Sequence, residues 1–159
     1  TNNIGGTTPE NRNFISGNGD RGGIAIRVAP DKTPSSGNFV EGNFIGTDLT
    51  GKTILENAGS GVNIVGASAN TVGGTSPGSG NVISGNGFAG VIIEADVTGA
   101  QVGNLPGPTG LDAQNNVVEG NLIGTDAAAA FRFPNGITVS ADGVLYVADA
   151  GNDEIREVK

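Results

Sequence analysis

Apolar and polar residues alternate in short runs along the chain. Three runs show this most clearly, each with two apolar residues two positions apart: Ile24/Ile26, Val62/Ile64 and Val91/Ile93. A spacing of two is the period of a half-buried strand, and these runs end at Gly, Asn or Pro, as strands do. The segment from Ala127 to Ala130 favours helix but is too short to stand alone. The pattern therefore predicts an all-β fold.

Two long units repeat within residues 2–126. The segment Asn13–Gly19 (NFISGNG) returns as Asn81–Gly87 (NVISGNG), and Asn38–Asp48 (NFVEGNFIGTD) returns as Asn116–Asp126 (NVVEGNLIGTD). The second pair is spaced more widely than the first, and the extra residues lie near 99–115, which we interpret as a loop insertion. Within the units, segments of similar pattern begin at Asn13, Asn38, Asn70, Asn81 and Asn116.

Short strands with Gly and Asn at their ends, repeated over such units, predict a parallel β-solenoid. We expect a right-handed parallel β-helix of about five coils, with apolar side chains stacked inside. Asn at one corner of each coil can form a ladder of side-chain amides. Gly and Asn also tolerate the left-handed backbone of a tight corner.

The repeated segments resemble the right-handed parallel β-helix repeat family of secreted and cell-surface bacterial proteins. The resemblance is carried by Asn13–Asn18 with Gly23–Ile26, by Asn38–Asp48 with Gly61–Ile64, by Asn81–Ile93 and by Asn116–Asp126. It implies the fold over most of residues 2–126. It does not imply one function, because the family includes pectin-type lyases, glycosidases, epimerases and adhesin passengers.

The C-terminal segment has a different pattern. Phe133–Val158 combines Pro-x-Gly-Ile-x-Val, Asp-Gly, Leu-Tyr-Val-Ala-Asp and Ile-Arg, and resembles one NHL-type β-propeller repeat. We expect strands at Ile137–Ser140, Val144–Ala148 and Glu154–Val158, with Asp142-Gly143 as a tight turn. A propeller needs several such blades. We therefore divide the chain into a β-helix at 1–130 and a strand segment at 131–159 that caps or links it.

Composition excludes several classes of function. The chain has 16 acidic and 8 basic residues, for a net charge of −8, and no Lys or Arg between Lys52 and Arg132. This balance disfavours nucleic acid and anionic membranes as partners, and no apolar run is long enough to insert into a membrane. The chain has no Cys and no His, which removes Cys- and His-based catalysis and the commonest zinc ligands. Because the chain begins at Thr1 without Met, we expect a removed leader or a piece of a longer protein. The absence of Cys is compatible with export, and the resemblance to secreted and cell-surface proteins implies a location outside the cell or on its surface.

Acidic residues at equivalent repeat positions are the first candidates for a site. They are the pairs Glu41/Glu119 and Asp48/Asp126. Such rows could hold calcium or act as paired acids on a glycoside. Repetition favours a structural role instead, in which the Asp residues accept N–H bonds in turns.

The remaining candidates also have simpler structural interpretations. They are a mixed-charge patch (Asp20, Arg21, Arg27, Asp31, Lys32), the Gly-rich segments 17–23 and 72–75, the acidic segment Asp149–Glu154, and the isolated Thr47 and Thr125. The Gly-rich segments lack the Lys-Ser/Thr and helix of a phosphate loop. Only seven aromatic residues are present, with Tyr146 the single Tyr, which disfavours sugar stacking. We therefore predict no catalytic, cofactor-binding or metal-binding residue.

Three functional hypotheses follow. The first is a non-enzymatic, secreted structural solenoid that self-associates head to tail into a filament or surface layer. The second is a carbohydrate-active enzyme, a polysaccharide lyase or glycosidase, with a polysaccharide as its partner. The third is an adhesin fragment of a larger surface protein.

Overall fold

The structure is a computed structural model. It describes residues 1–29, 33, 35–96 and 112–124, together with the backbone of three strands at 134–139, 145–149 and 154–158. Nearly all regular elements are β-strands, and a three-residue 3₁₀ turn at Pro9–Asn11 is the one helical element in these ranges. The predicted all-β class is therefore confirmed.

Eleven short strands build three parallel sheets. The first sheet contains β1 (Asn3–Gly5), β4 (Phe39–Glu41), β7 (Thr71–Gly73) and β10 (Val117–Glu119). The second contains β2 (Phe14–Ile15), β5 (Phe44–Ile45), β8 (Val82–Ile83) and β11 (Leu122–Ile123). The third contains β3 (Ile24–Arg27), β6 (Val62–Val65) and β9 (Val91–Glu94). The chain visits the three sheets in turn, which makes a parallel β-solenoid.

The register stacks like residues on like. Ile15 lies beside Ile45, which lies beside Ile83 and then Ile123. Val40 pairs with Val72 in the first sheet, and Val62 and Ile64 continue the rows of the third. Six core residues of the middle coils are at most 1% exposed: Val40, Ile45, Val62, Ile64, Val72 and Ile83. Alternation along each strand thus places one apolar row of each sheet inside the solenoid.

One coil is one passage through the sheets, so the coils are numbered by their strands: coil 1 (β1–β3), coil 2 (β4–β6), coil 3 (β7–β9) and coil 4 (β10 and β11). The described residues contain three complete coils and two strands of a fourth. The prediction of about five coils is wrong. An Asn-led segment does not always start a new coil, because those at Asn70 and Asn81 open two sheets of the same coil.

Odd and even coils differ in where their loops lie. Coils 1 and 3 carry a loop between the first and second sheets, at 6–12 and 74–80, where coil 2 has little more than Gly42. Gly42 has a left-handed φ of 66°, and a Cβ there would overlap the carbonyl oxygen of Gly6 and lie 2.8 Å from that of Gly78. The backbone of coil 2 is therefore held between the loops of its two neighbours, and the structural repeat is a pair of coils.

The C-terminal strands form a separate antiparallel sheet. Its order is β12 (Pro134–Val139), β13 (Leu145–Asp149) and β14 (Glu154–Val158). All three predicted strands are found, with bounds shifted at the first two. β12 pairs antiparallel with β13 and belongs to none of the three parallel sheets. The Asp142-Gly143 turn, most of the 99–115 insertion and the boundary at 130 lie outside the described residues.

Candidate functional site

Three ladders of Asn side chains run along the corners of the solenoid. The first precedes the first sheet, the second lies between the first and second sheets, and the third lies between the second and third sheets. Their members in coil order are Asn2, Asn38, Asn70 and Asn116; Asn13, Asn43, Asn81 and Asn121; and Asn18, Asn57 and Asn86.

Asn43 shows how an interior ladder residue uses its hydrogen-bonding groups. Its Oδ1 accepts from the backbone N–H of Asn13 at 3.2 Å and from Nδ2 of Asn13 at 2.9 Å. Its Nδ2 donates to the carbonyl oxygen of Ile4 at 2.8 Å and to Oδ1 of Asn81 at 3.0 Å. A side-chain amide offers two donors and two lone pairs, so a fully buried Asn43 leaves none unpaired.

Each ladder has a direction. In every step the residue of the earlier coil donates through Nδ2, and Oδ1 of the later coil accepts; Asn38 to Asn70 at 2.8 Å and Asn57 to Asn86 at 2.8 Å are examples. The second hydrogen of Nδ2 is usually donated to a backbone carbonyl oxygen of the earlier coil. Asn81, for example, donates to Val40 at 2.8 Å. The two ends of the stack consequently present different groups.

At the coil 1 end the free groups are acceptors. Asn2, Asn13 and Asn18 are exposed, and no donor among the described residues reaches their Oδ1 atoms. At the coil 4 end the free groups are donors, because neither Asn116 nor Asn121 has an acceptor for its backbone N–H within the part of the chain that the structure describes. Among these residues, then, the ladders end in acceptors on one side and donors on the other.

The sequence pattern predicts a ladder at one corner, and the Asn residues that begin its repeated segments belong to the first two ladders only. That prediction misses the third ladder of Asn18, Asn57 and Asn86. Each of these residues stands five or six positions before the first residue of a third-sheet strand, and this constant distance is the signal that could have identified them. The loop at 48–56 hides the pattern, since it displaces Asn57 from its own second-sheet strand.

The repeated glutamates lie in one row but not side by side. Glu41 is in coil 2 and Glu119 in coil 4, where it pairs with Gly73, so Gly73 of coil 3 separates the two glutamates. Two coil steps place their backbones about 10 Å apart, wider than the spacing that retaining glycosidases use. Glu41 is half-buried and Glu119 is exposed.

Asp48 organises the turn that it starts. Its Oδ1 accepts from the Thr50 hydroxyl at 2.7 Å, the Thr50 N–H at 3.1 Å, and the N–H groups of Lys52 and Thr53 at 3.3 Å each. The Thr50 hydroxyl, followed by the backbone donors, lowers the pKa of Asp48 to about 2. These contacts show the turn role predicted for Asp48, whereas its repeat partner Asp126 lies outside the described residues.

The other sequence candidates are scattered. Asp20, Arg21 and Arg27 are exposed, and Asp31 and Lys32 lie outside the described residues. The Gly-rich segments 17–23 and 72–75 serve as corner and strand backbone. Thr47 is buried with its Oγ1 unpaired, while Thr125 and most of Asp149–Glu154 are not described. No three acidic side chains in the described ranges lie close enough to hold a metal ion.

An aromatic contact that sequence reasoning did not single out lies on the outer face of the second sheet. The guanidinium of Arg12 lies 4.2 Å from the ring centroid of Phe44, and its Nε donates to the carbonyl oxygen of Gly42 at 2.9 Å. Phe14 meets Phe44 edge to face, with ring centroids 5.7 Å apart. Arg12 thereby covers Phe44, whereas Phe14 remains 52% exposed.

The fold and corners define the class of protein: an all-β parallel solenoid with Asn-laddered corners. Comparison with known families adds one match, in which the NHL repeat model covers residues 131–156, confirming the NHL-type resemblance there. No curated protein and no solved structure shows significant similarity to the chain. No helix in the described residues is long and apolar enough to cross a membrane.

Proposed function

We propose that the chain is a non-enzymatic structural solenoid that associates head to tail into an extracellular filament or surface layer. The observation that carries the proposal is the direction of the Asn ladders. Donors at the coil 4 end match acceptors at the coil 1 end of a second copy. A heterologous contact of this kind does not close on itself, and its repetition gives an open polymer.

The alternation of coils supports the same geometry. Coil 4 is an even coil, and coil 1 of another copy is an odd coil, so stacking them continues the pattern. The contact between coils 2 and 3 supplies the template, with Phe39 opposite Thr71 and Phe44 opposite Val82. By that template Val117 of one copy would lie opposite Asn3 of the next. Open strand edges readily accept such added strands.

One loop weakens this junction. In the internal contact, Gly78 has a left-handed φ of 84°, and a Cβ there would overlap the carbonyl oxygen of Thr7 two coils earlier. Coil 1 of an incoming copy has Glu10 at the equivalent position, within its 3₁₀ turn. The coil 1 loop of the incoming copy must therefore shift away from the coil 3 loop of the first copy. We expect Glu10→Gly to remove this conflict and to strengthen association.

Sedimentation velocity over a range of concentrations tests the proposal. We expect the wild-type chain to form larger species as concentration rises, with electron microscopy showing their shape. Asn13→Ala removes an edge acceptor and should reduce association, whereas Asn13→Asp keeps the acceptor and should retain it. Both variants lose the same internal bond to Asn43, so they are matched controls. A wild-type chain that stays monomeric at every concentration would contradict the proposal.

The carbohydrate-active alternative is tested on the same protein. Pectin or alginate is incubated with the chain, and release of reducing ends or unsaturated products is measured. Activity that Glu41→Gln or Glu119→Gln abolishes, in variants with unchanged circular dichroism, would replace the structural proposal with an enzymatic one.

A further inference from the structure

We propose that Asn18-Gly19 is a site of spontaneous deamidation, and that the same dipeptide at Asn86-Gly87 is protected by its place in the stack. The two dipeptides occupy equivalent positions in the third ladder, in coils 1 and 3. Coil 2 precedes Asn86-Gly87 in the stack and contacts it, whereas Asn18-Gly19 lies in the first coil. Each dipeptide is therefore a control for the other.

The reaction needs only the chain and water. The backbone nitrogen of Gly19 attacks Cγ of Asn18, loses its proton, and expels Nδ2 as ammonia to form a five-membered succinimide. Water then opens the ring at one of its two carbonyls, giving aspartate or isoaspartate at position 18. Gly at the second position favours the attack, since no Cβ hinders the approach.

At coil 1 both residues of the dipeptide are exposed. Gly19 is exposed, and a Cβ placed on it would meet nothing within 4 Å. The hydrogen bonds recorded among the described residues give its N–H no acceptor, although its carbonyl accepts from Gly22 at 2.9 Å. Asn18 itself is exposed and is held by Nδ2 to Oδ1 of Asn57 at 2.8 Å.

At coil 3 the equivalent nitrogen is engaged. The N–H of Gly87 donates to the carbonyl oxygen of Asn57 at 2.8 Å, and a Cβ on Gly87 would lie 2.6 Å from the carbonyl oxygen of Ala58. Oδ1 of Asn86 accepts from Asn57, and its Nδ2 donates to Ile45 at 3.2 Å. Cyclisation there must first break contacts with coil 2, and a hydrogen bond of ordinary strength slows such a step about tenfold.

The modification alters the ladder. Replacing Nδ2 by a carboxylate oxygen removes the donor to Asn57 and places negative charge beside Oδ1 of Asn57, which already accepts the Asn18 N–H at 3.1 Å. Isoaspartate also lengthens the backbone at this corner. We therefore expect modified chains, and the Asn18→Asp variant, to have a lower melting temperature than the parent chain.

Peptide mapping tests the proposal. The native protein is incubated at mildly alkaline pH, then digested with trypsin, which releases residues 13–21, and with a protease that cleaves after Glu, which releases 57–94. Mass spectrometry detects the mass change when the side-chain amide becomes an acid. Labelling by isoaspartyl methyltransferase detects the isoaspartate product. We expect conversion at Asn18 about tenfold faster than at Asn86, and Gly19→Ala, for which there is room, should slow it.

Incubation in denaturant supplies the decisive control, because both dipeptides are then equally free. The proposal requires the two rates to converge there. Equal rates in the native protein would overturn it, and so would a difference that persists in denaturant, since local sequence would then be its cause.

Discussion

The residues before three of the four first-ladder Asn residues have a left-handed backbone. These residues are Gly37 with φ of 68°, Ala69 with φ of 56° and Asn115 with φ of 56°. Glycine adopts this conformation freely and asparagine tolerates it, whereas alanine is strained by about 1 kcal/mol or more. The conformation is needed at this corner whichever side chain occupies it.

We therefore predict that Ala69→Gly stabilises the protein by roughly 0.5 kcal/mol. The substitution relieves the backbone strain of Ala69, and the greater conformational freedom that Gly gives the unfolded chain offsets part of this gain. The urea midpoint measures the change. Ala58→Gly is the control, since Ala58 is also exposed but has no left-handed φ, and it should destabilise. A decrease in stability for both variants would contradict the strain at Ala69.

Asp48 predicts a dependence on pH. Its pKa is lowered, chiefly by the Thr50 hydroxyl, to about 2. A carboxylate with a lowered pKa stabilises the fold at pH values above its unfolded pKa, and that contribution is lost as pH falls through the folded value. The difference in melting temperature between wild type and Asp48→Asn should be constant above about pH 4 and shrink towards pH 2.

Carboxyl NMR titration tests the cause. Thr50→Val removes the hydroxyl bond and should raise the pKa of Asp48 towards its ordinary value, with the Thr53 and Lys52 bonds still present. An unchanged pKa in Thr50→Val would show that the hydroxyl is not the main cause.

At the level of elements, the Asn ladders at the corners add hydrogen bonds between coils to those of the strands. Several strands of the second sheet have only two residues, so ladder bonds supply much of the contact between coils. Asn43→Ala removes four side-chain bonds at a fully buried position. We expect it to cost roughly 3–5 kcal/mol, against about 1 kcal/mol for the exposed Asn13→Ala, as measured by urea unfolding. Similar losses for the two variants would contradict the ladder account.

Gly42 and Gly17 separate backbone strain from packing. Both are left-handed, with φ of 66° and 72°, but a Cβ on Gly17 meets nothing within 4 Å whereas one on Gly42 overlaps Gly6. Gly17→Ala should cost about 1–2 kcal/mol from strain alone. Gly42→Ala should cost clearly more, because the loops of coils 1 and 3 enclose it. Equal unfolding midpoints would show that the two-coil packing does not constrain Gly42.

The sequence was sufficient for the strands and for the principle of an Asn ladder, but not for the number of ladders or of coils. Period-two alternation identifies Val62/Ile64 as part of a strand whichever sheet that strand joins. Repeated Asn residues indicate a ladder. Counting coils requires knowing which sheet each strand joins, and the Asn-x-apolar pattern opens strands of both the first and second sheets. The complementary ends were also beyond prediction, since the direction of a ladder depends on how each amide is oriented.

At the scale of the whole molecule, we propose that copies stack with coil 4 against coil 1. The chain has no cysteine, so introduced cysteines would be its only thiols. Val117 and Asn3 are exposed, and strands paired in register bring their Cα atoms about 5 Å apart, within the range that a disulfide spans. Phe39→Cys with Thr71→Cys is the internal positive control, because these residues already pair.

The most direct measurement mixes the Asn3→Cys and Val117→Cys single variants under mild oxidation and identifies the cross-linked peptides by mass spectrometry. Ala25→Cys, exposed on the third sheet, replaces Asn3→Cys in a parallel control mixture. Head-to-tail stacking predicts that the disulfide between positions 3 and 117 dominates, well above the disulfide between 25 and 117. Symmetric dimers alone, or equal yields from both mixtures, would contradict the account.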